Sequence, residues 1–402
     1  MADADRVIVV GGGPVGLITA LGLIRNGVPV TVLEADPVLP RDLRAGSYHP
    51  PTLDLMEPLG LTARLVEIGI PVPNWQMRDR TEGIVAEFDL GLLKNDTKYP
   101  FRLHCEQYKL TPIAHELLRA EGGAVMFGTT ATGVTQDADS VLVTAMTDGG
   151  QEIELKGRYC VGADGVRSVV RKSMGVDFEG FTWPERFLVV STPHDLSQYG
   201  YTPNAYIADP DEWCAIFLMP HNGPPGLWRL AFPTDSERSD EEVLDLAFCQ
   251  KLLQGFLPSE NTYEIDYRSV YRVHQRVATD FRVGRVMIAG DAAHVNNPLG
   301  GLGLNSGIHD ACNLYDKLAR VFRREAGEEE LDRYTRQRRL TNIEYVQAMS
   351  IRNKKLLEER DPEVRRQRLQ EIRQTAADPA KAYAHLLNTS MINSVRRAAA
   401  IA

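Results

Sequence analysis

The sequence predicts an α/β fold with two interleaved domains and a helical C-terminal segment. Near the N-terminus, the apolar residues 7–10 run into a glycine-rich turn and a helical pattern, and a similar strand–loop–helix pattern returns at residues 284–319. Residues 181–233 are rich in aromatic and β-branched residues and are broken by prolines, which favours an antiparallel sheet. The chain from about Leu331 is mostly helical in pattern and highly charged.

These patterns predict the domain boundaries. We expect a discontinuous first domain, an antiparallel-sheet domain inserted into it, and a C-terminal helical segment. The predicted ranges are 1–72, 101–178 and 272–330 for the first, 73–100 and 179–271 for the second, and 331–402 for the third.

The first glycine turn has the spacing of a dinucleotide-binding loop. Gly11 permits the tight turn, Gly13 lets a pyrophosphate approach the backbone next to Pro14, and Gly16 lets the helix pack on the strand. A second strand ends at Glu34, where a carboxylate can accept hydrogen bonds from ribose hydroxyls. The intervening helix is expected to be amphipathic, with an apolar stripe of Leu17, Ala20, Leu21 and Ile24.

A second loop, far along the chain, narrows the predicted ligand from any dinucleotide to a flavin dinucleotide. The strand of residues 284–289 ends in Gly290-Asp291, and a loop containing Pro298 and Gly303 follows it. The apolar stripe beyond the loop predicts a helix that begins near Asn305, whose first amides are free donors. Two such loops serving one ligand indicate a flavin dinucleotide, and hence redox chemistry.

Composition favours a globular cytoplasmic enzyme. The net charge of −9 argues against a nucleic-acid partner, and no apolar run reaches membrane-spanning length. The N-terminus lacks the basic and apolar regions of a secretory signal. Five scattered cysteines without a C-x-x-C pair suggest reduced thiols and no metal site. In the tail, interspersed glutamates make basic stretches such as 336–339 and 352–355 solvated helix faces, with an anionic-partner site as the alternative.

The chain resembles the single-component, FAD-dependent aromatic hydroxylases of the para-hydroxybenzoate hydroxylase type. The resemblance rests on the turn at residues 11–16, on Gly162-Ala-Asp164-Gly165, and on Gly290-Asp291 with its loop. It implies that the first domain is a Rossmann-like, glutathione-reductase-type FAD domain. No second strand-linked G-x-G-x-x-G is present, so the resemblance implies that NADH or NADPH reduces the flavin during a transient visit.

The resemblance also assigns cofactor contacts. Asp291 would accept a hydrogen bond from the ribityl chain, and Asp164 would act near the pyrophosphate, with a plain helix N-cap as its alternative. Gln107 would contact FAD from a helix start, Arg44 would lie near the ribose and pyrophosphate, and Val134 would touch the adenine through its main chain.

The loop before the predicted helix is expected to carry the catalytic electrostatics. Backbone amides at Gly303, Leu304 and Asn305 could stabilise the negative charge that develops at the N1–C2=O edge of a reduced flavin. Pro298 would shape the loop beside the substrate. By family analogy, the flavin reacts with O₂ as a C4a-hydroperoxide and hydroxylates an aromatic ring, and the protein supplies position and water exclusion.

The substrate is expected under the sheet of residues 181–233. The residues predicted to line it are Tyr206, Met219, Pro220, His221 and Trp228. His221 is also the candidate to take a phenolic proton, although a lone loop histidine is more often a surface residue, and a tyrosine such as Tyr206 is likewise more often a core residue. The alternatives to a monooxygenase are an FAD-dependent reductase or halogenase, or a non-catalytic flavoprotein partner. A homodimer is one possible assembly.

Overall fold

The computed structural model describes residues 5–41 and 45–402, whose strands fall into four sheets. The strands are β1 Val7–Val10, β2 Val30–Leu33, β3 Ser47–Tyr48, β4 Ile70–Val72, β5 Asn74–Asp79, β6 Gly83–Asp89, β7 Arg102–His104, β8 Ala124–Met126, β9 Thr129–Gln136, β10 Val141–Thr147, β11 Glu152–Gly157, β12 Tyr159–Gly162, β13 Phe178–Thr192, β14 Asn204–Ala208, β15 Cys214–Met219, β16 Leu227–Thr234, β17 Tyr267–Ala278, β18 Arg282–Val283, β19 Val286–Ile288 and β20 His294–Val295.

The helices alternate with strands in the first half of the chain and follow one another in the last quarter. They are α1 Pro14–Arg25, α2 Pro50–Met56, α3 Leu61–Ile68, α4 Gln107–Ala120, α5 Val169–Ser173, α6 Asp240–Val243, α7 Leu246–Phe256, α8 Leu302–Phe322, α9 Glu329–Thr341, α10 Ala348–Leu357, α11 Pro362–Ala377, α12 Pro379–Thr389 and α13 Ile392–Ala400. A π-helical turn, Asn342–Gln347, joins α9 to α10.

The first domain is built on a six-stranded sheet in the order β18-β19-β12-β1-β2-β8, and all pairs except β18–β19 are parallel. The glycine turn, the Asp164 turn and the Gly290-Asp291 turn follow β1, β12 and β19. Because the carboxyl ends of parallel strands meet at one edge of a sheet, three motifs that are far apart in sequence lie together there.

Helix α1 is buried on all sides rather than amphipathic, because it lies against the sheet and also against α4 and α8. Every residue from Gly16 to Leu23 is buried. A Cβ on Gly22 would lie 2.3 Å from the ring of Tyr315 in α8, so the glycine is what allows the two helices to approach. The predicted apolar stripe is therefore only part of the contact surface.

The second domain is an eight-stranded sheet in the order β20-β17-β13-β16-β15-β14-β5-β6. It is antiparallel as predicted, except that β14 and β5 pair in parallel. The predicted boundary at residue 272 falls inside β17, because this strand continues to Ala278 and pairs with β20. One face of the sheet packs on α6 and α7, and the other faces the cavity described below and the C-terminal helices.

The C-terminal segment is helical as predicted, but each of its two basic stretches contains a buried cation. Arg338 and Lys354 are both 1% exposed, whereas Arg336 and Lys355 are exposed. The prediction of fully solvated basic faces is therefore wrong at these two positions.

Two further sequence predictions concern cysteines and membranes. All five cysteines are buried free thiols. Among the described residues, no helix is long and apolar enough to cross a membrane, and no cluster of side chains could hold a metal ion.

Candidate active site

The glycine turn requires glycine at two of its positions. Gly11 has φ +106°, and a Cβ there would lie 2.4 Å from the carbonyl oxygen of Ala163. A Cβ on Gly16 would lie 1.9 Å from the carbonyl oxygen of Gly11, so this glycine permits the helix to approach the strand. Gly13 is the N-cap of α1, and with Pro14 it lines a cavity. The first-turn amides of α1 have no intrahelical acceptors, which makes this end of the cavity suitable for a phosphate.

Glu34 closes the same end of the cavity. Its side chain is buried, and its two oxygens accept hydrogen bonds from the backbone amides of Gly12 at 2.6 Å and Asp36 at 2.9 Å. A carboxylate has about four lone-pair sites, so it retains capacity to accept from ribose hydroxyls.

The cavity is continuous from the glycine turn to the face of the eight-stranded sheet, with a volume of about 620 Å³. Of the residues predicted for the cofactor and substrate, those that line it are Gly11, Gly13, Pro14, Glu34, Gln107, Asp164, Met219, Asp291, Pro298, Gly303 and Leu304. Arg44 lies outside the described residues.

Asp291 is exposed to the cavity, and a buried network behind it holds its turn in place. Asp310 accepts hydrogen bonds from the Gly290 amide at 3.0 Å and from Arg338 Nε at 2.7 Å. Its carboxylate also lies 2.7 Å from His294 Nε2. Burial alone would raise the pKa of Asp310, but the charges of His294 and Arg338 outweigh it, and the pKa is lowered. The ionised carboxylate thereby fixes the turn that presents Asp291.

Helix α8 begins one turn earlier than predicted, which moves the free amides. Its N-cap is Gly301, which has φ +67°, and Leu302 is the first helical residue. The amides without intrahelical acceptors are therefore those of Leu302, Gly303 and Leu304, rather than that of Asn305. All three residues line the cavity.

Asn305 has a buried structural role instead. Its side chain accepts from the backbone amide of His49 at 2.8 Å and donates to the carbonyl oxygens of Ser47 at 2.8 Å and Gly301 at 2.6 Å. It ties the start of α8 to the segment that precedes α2. His49 reinforces this contact through Nε2, 2.8 Å from Gly300 O, and burial followed by the charge of Arg102 holds the pKa of His49 well below its usual value.

Two other predicted cofactor residues are engaged within the protein. The carboxylate of Asp164 accepts from the amides of Val169 at 2.7 Å and Val170 at 3.1 Å in the first turn of α5, whose N-cap residue is Ser168, and Asp164 also lines the cavity. The amide of Val134 donates to Ser173 Oγ at 3.2 Å, and Val134 is not among the described residues that line the cavity. The part of β9 that lines the cavity is residues 129–131.

Four of the five predicted substrate residues do not line the cavity of the described chain. Trp228 packs with α7 on the opposite face of the sheet, because successive strand residues point to opposite faces and its neighbour Arg229 points to the cavity. Tyr206 is on the cavity face but lies behind Phe217, with ring centroids 6.0 Å apart.

Pro220 and His221 lie in the hairpin after β15, outside the cavity. Helix α4 holds this hairpin, since the His221 amide donates to Glu106 at 2.8 Å and Lys109 donates to the His221 carbonyl oxygen at 2.6 Å. The imidazole contacts Asn222 at 3.0 Å. His221 is therefore not placed to take a proton inside the cavity.

The sheet end of the cavity is formed by residues that sequence reasoning missed. They are Val189, Ala215, Phe217, Arg229, Ala231 and Tyr271. The single arginine within the apolar strand 227–232 is a signal for this part of the site. Whether its side chain faces the cavity depends on the register of the strand, which one sequence does not specify.

Comparison with known proteins agrees with this geometry. Residues 5–349 match the family model described as FAD binding domain. The chain is 34% identical to para-nitrophenol 4-monooxygenase of Pseudomonas sp. (strain WBC-3), over 98% of each chain. It is 34% identical to 6-hydroxy-3-succinoylpyridine 3-monooxygenase HspB of Pseudomonas putida (strain DSM 28022 / S16), over 90% of this chain and 91% of that one.

A solved structure of p-nitrophenol 4-monooxygenase PnpA from Pseudomonas putida DLL-E4 superposes with a TM-score of 0.92 at 32% identity, over 98% of both chains. Together with a cavity that joins a dinucleotide turn to a substrate-sized space, these matches confirm the predicted cofactor and reaction class. The chain belongs to the FAD-binding domain family and is an FAD-dependent aromatic monooxygenase of the single-component hydroxylase type, which uses NAD(P)H and O₂.

Proposed function

We propose that this enzyme hydroxylates a single-ring phenol or hydroxypyridine bound between the first turn of α8 and the cavity face of the eight-stranded sheet. The observation that carries the proposal is the continuity of the cavity from the glycine turn to that face. The names of two relatives, which act on para-nitrophenol and 6-hydroxy-3-succinoylpyridine, support a single ring. The lining residues Val189, Ala215 and Ala231 are apolar, and two of them are small.

The residues that would hold FAD follow the length of the cavity. The first turn of α1 would bind the pyrophosphate, Glu34 the adenosine ribose, and Asp291 the ribityl hydroxyls. When bound, FAD supplies hydride acceptance from NAD(P)H and activation of O₂. Two observations support this assignment. Backbone amides hold the side chain of Glu34 in place, and the side chain of Asp291 faces the cavity.

The start of α8 would supply the electrostatics. Its free amides at Leu302, Gly303 and Leu304 and the positive end of its dipole favour negative charge at a flavin edge placed there. A Cβ on Gly303 would meet one atom, Asn296 Oδ1 at 3.4 Å, so the position has room on the cavity side. Pro298 lies beside this turn, and the buried Asn305 keeps the turn in place.

The apolar sheet face would exclude water from the reacting centre. Water exclusion matters because it limits loss of reduced oxygen as H₂O₂. A cytoplasmic location and a homodimer stay predictions from the sequence.

The test uses the purified protein reconstituted with FAD. Phenols and hydroxypyridines are screened for stimulation of NAD(P)H consumption, with the flavin spectrum followed in parallel. We expect at least one single-ring compound to stimulate consumption and to perturb the flavin spectrum. Failure of every such compound, in protein that binds FAD, would contradict the proposed substrate class.

A further inference from the structure

Residues 295–299, which we call the 295–299 loop, lead from β20 toward the start of α8. The members that line the cavity are Val295, Asn296, Pro298 and Leu299. Asn297 does not line it and is fully buried. The Pro298 carbonyl oxygen accepts from the amide of Gly301, the N-cap of α8, at 2.9 Å. A displacement of the loop would therefore reach the first turn of α8 as well as the cavity wall.

The side chain of Gln275, on β17, holds this loop through Asn297. Its amide oxygen accepts from the backbone amide and from Nδ2 of Asn297, each at 3.2 Å. A third donor, Nε1 of Trp183 on the neighbouring strand β13, reaches the same oxygen at 3.2 Å. Gln275 is 3% exposed, so bulk water does not compete for these bonds.

The nitrogen of the Gln275 amide is held by the C-terminal segment. It donates to Oε1 of Gln347, the last residue of the π-helical turn, at 2.5 Å and to Oγ of Ser350 at 3.0 Å. Three donors meet the oxygen and two acceptors meet the nitrogen, so the amide is fixed in one orientation. π-Helical turns are rare and frequently occur at functional sites.

The same segment holds both ends of the 295–299 loop. Gln347 Nε2 donates to the Val295 carbonyl oxygen at 3.1 Å, and Asn353 Nδ2 donates to the Leu299 carbonyl oxygen at 3.2 Å. Each end has one such bond, whereas the centre of the loop receives two from Gln275. The position of the centre therefore depends most on this one side chain.

Trp183 is the outer partner of Gln275. Its indole is half-buried, and Lys354 Nζ lies 4.3 Å from the centre of its ring. Lys354 is buried and is paired with Glu185 at 3.3 Å and with Glu358. A cation held over an indole face restrains the ring. The N–H of Trp183 is thereby kept directed at Gln275.

We propose that Gln275 and Trp183 are positioning residues for hydroxylation, which fix Asn297 and thereby hold the loop at the substrate space and the first turn of α8 at the flavin edge. The inference rests on the proposed function, which places substrate and flavin beside this loop. Neither residue is among the described residues that line the cavity, so both act through Asn297. A displaced loop would admit water and move the α8 amides away from the charge of a reduced flavin.

The test compares the FAD-loaded wild type with Gln275→Met, which keeps the length of the side chain and removes its amide. The reduction potential of bound FAD is measured without substrate. We expect the equilibrium constant for two-electron reduction to fall about tenfold, which is a potential about 30 mV more negative. With 4-nitrophenol as the probe, the oxygenated product per NAD(P)H should fall about twofold or more, and H₂O₂ should rise to match.

Trp183→Phe is the milder variant, because it keeps a ring beneath Lys354 and removes one of the three donors to Gln275. Its potential should lie between those of the wild type and Gln275→Met. Gln337→Met is the matched control. Gln337 is a 2% exposed glutamine that donates to the Ile401 carbonyl oxygen at 2.8 Å and accepts from Asn313 at 2.9 Å. Its loss should lower the melting temperature without changing the potential or the product yield.

An unchanged potential in a Gln275→Met variant that folds and binds FAD would overturn the inference, whatever the product yield. A shift of the same size in Gln337→Met would also overturn it, because general loosening would then explain the effect. If Gln275→Met does not fold, Trp183→Phe decides in the same way.

The potential is read without substrate, so the two proposals fail separately. A wild type that oxygenates 4-nitrophenol, with a Gln275→Met variant that matches it in potential and yield, would leave the proposed function intact and refute the positioning role. A shifted potential in Gln275→Met, with no oxygenation of 4-nitrophenol by the wild type, would support the positioning role and count against the proposed substrate class.

Discussion

Replacement of Arg338 by Met should destabilise the enzyme through the turn that presents Asp291. Arg338 is 1% exposed and donates to Asp310, which is fully buried, at 2.7 Å. Removing one partner of a buried ion pair costs about 3–5 kcal/mol. Because His294 and the Gly290 amide still contact the carboxylate, we expect the lower end, about 3 kcal/mol. At about 2.1 cal/mol/K of unfolding entropy per residue, this corresponds to a fall in Tm of roughly 4 °C for a chain of this length.

The pH dependence gives the prediction a second check. The pKa of Asp310 is lowered in the folded enzyme, so its stabilisation is present at neutral pH and is lost as the pH falls through the folded pKa. Without the charge of Arg338, that pKa should be higher than in the wild type, so Asp310 of the variant takes up its proton at a higher pH. The stability difference between wild type and Arg338→Met should therefore shrink as the pH is lowered.

The assay is urea unfolding followed by circular dichroism, with FAD affinity measured by titration of the apoprotein. Arg339→Met is the control, because Arg339 is more exposed and lies 3.9 Å from Glu179, and exposed pairs contribute about 0–1 kcal/mol. Arg338→Met combined with Asp310→Asn should recover part of the loss. A loss below about 1 kcal/mol in the single variant, with unchanged FAD affinity, would refute the role given to this network.

Three further variants test the site. Gly16→Ala should abolish FAD binding and lower Tm, because its Cβ would lie 1.9 Å from the Gly11 carbonyl oxygen, and a protein that binds FAD normally would contradict this. Asp291→Ala should weaken FAD binding about tenfold or more through loss of a charged acceptor, and an unchanged FAD affinity by titration would contradict this. Gln275→Leu should lower the product formed per NAD(P)H consumed, because Gln275 accepts from Asn297 at 3.2 Å and holds the loop above the cavity; full coupling would exclude that role.

The cofactor end of the site could be predicted because its requirements are local. The turn at Gly11 needs a positive φ, and the close approach at Gly16 excludes a side chain. Both requirements are visible in the sequence as glycines at a fixed spacing. Helix α4 begins at Gln107, the residue that the resemblance places at a helix start. The start of a helix is harder to predict where a loop sets it. Gly301, in the left-handed region, starts α8 one turn earlier than the apolar stripe predicts.

The substrate end could not be predicted because it depends on register and long-range pairing. Trp228 and Arg229 are adjacent, and which of them faces the cavity follows from how β16 pairs with β13 and β15. Arg338 stands in a basic stretch that looks solvated, and its partner Asp310 lies 28 residues earlier on another helix. Neither residue type nor spacing marks such a pair before the helices are packed.

The most direct test of the central claim is the fate of molecular oxygen. The FAD-loaded enzyme is supplied with NAD(P)H, a compound that stimulates its oxidation, and ¹⁸O₂, and the aromatic product is analysed by mass spectrometry. A monooxygenase incorporates one labelled oxygen atom into the ring product, with NAD(P)H consumed in proportion. An aromatic compound that returns unchanged, or a product whose new oxygen comes from unlabelled water, would contradict the account.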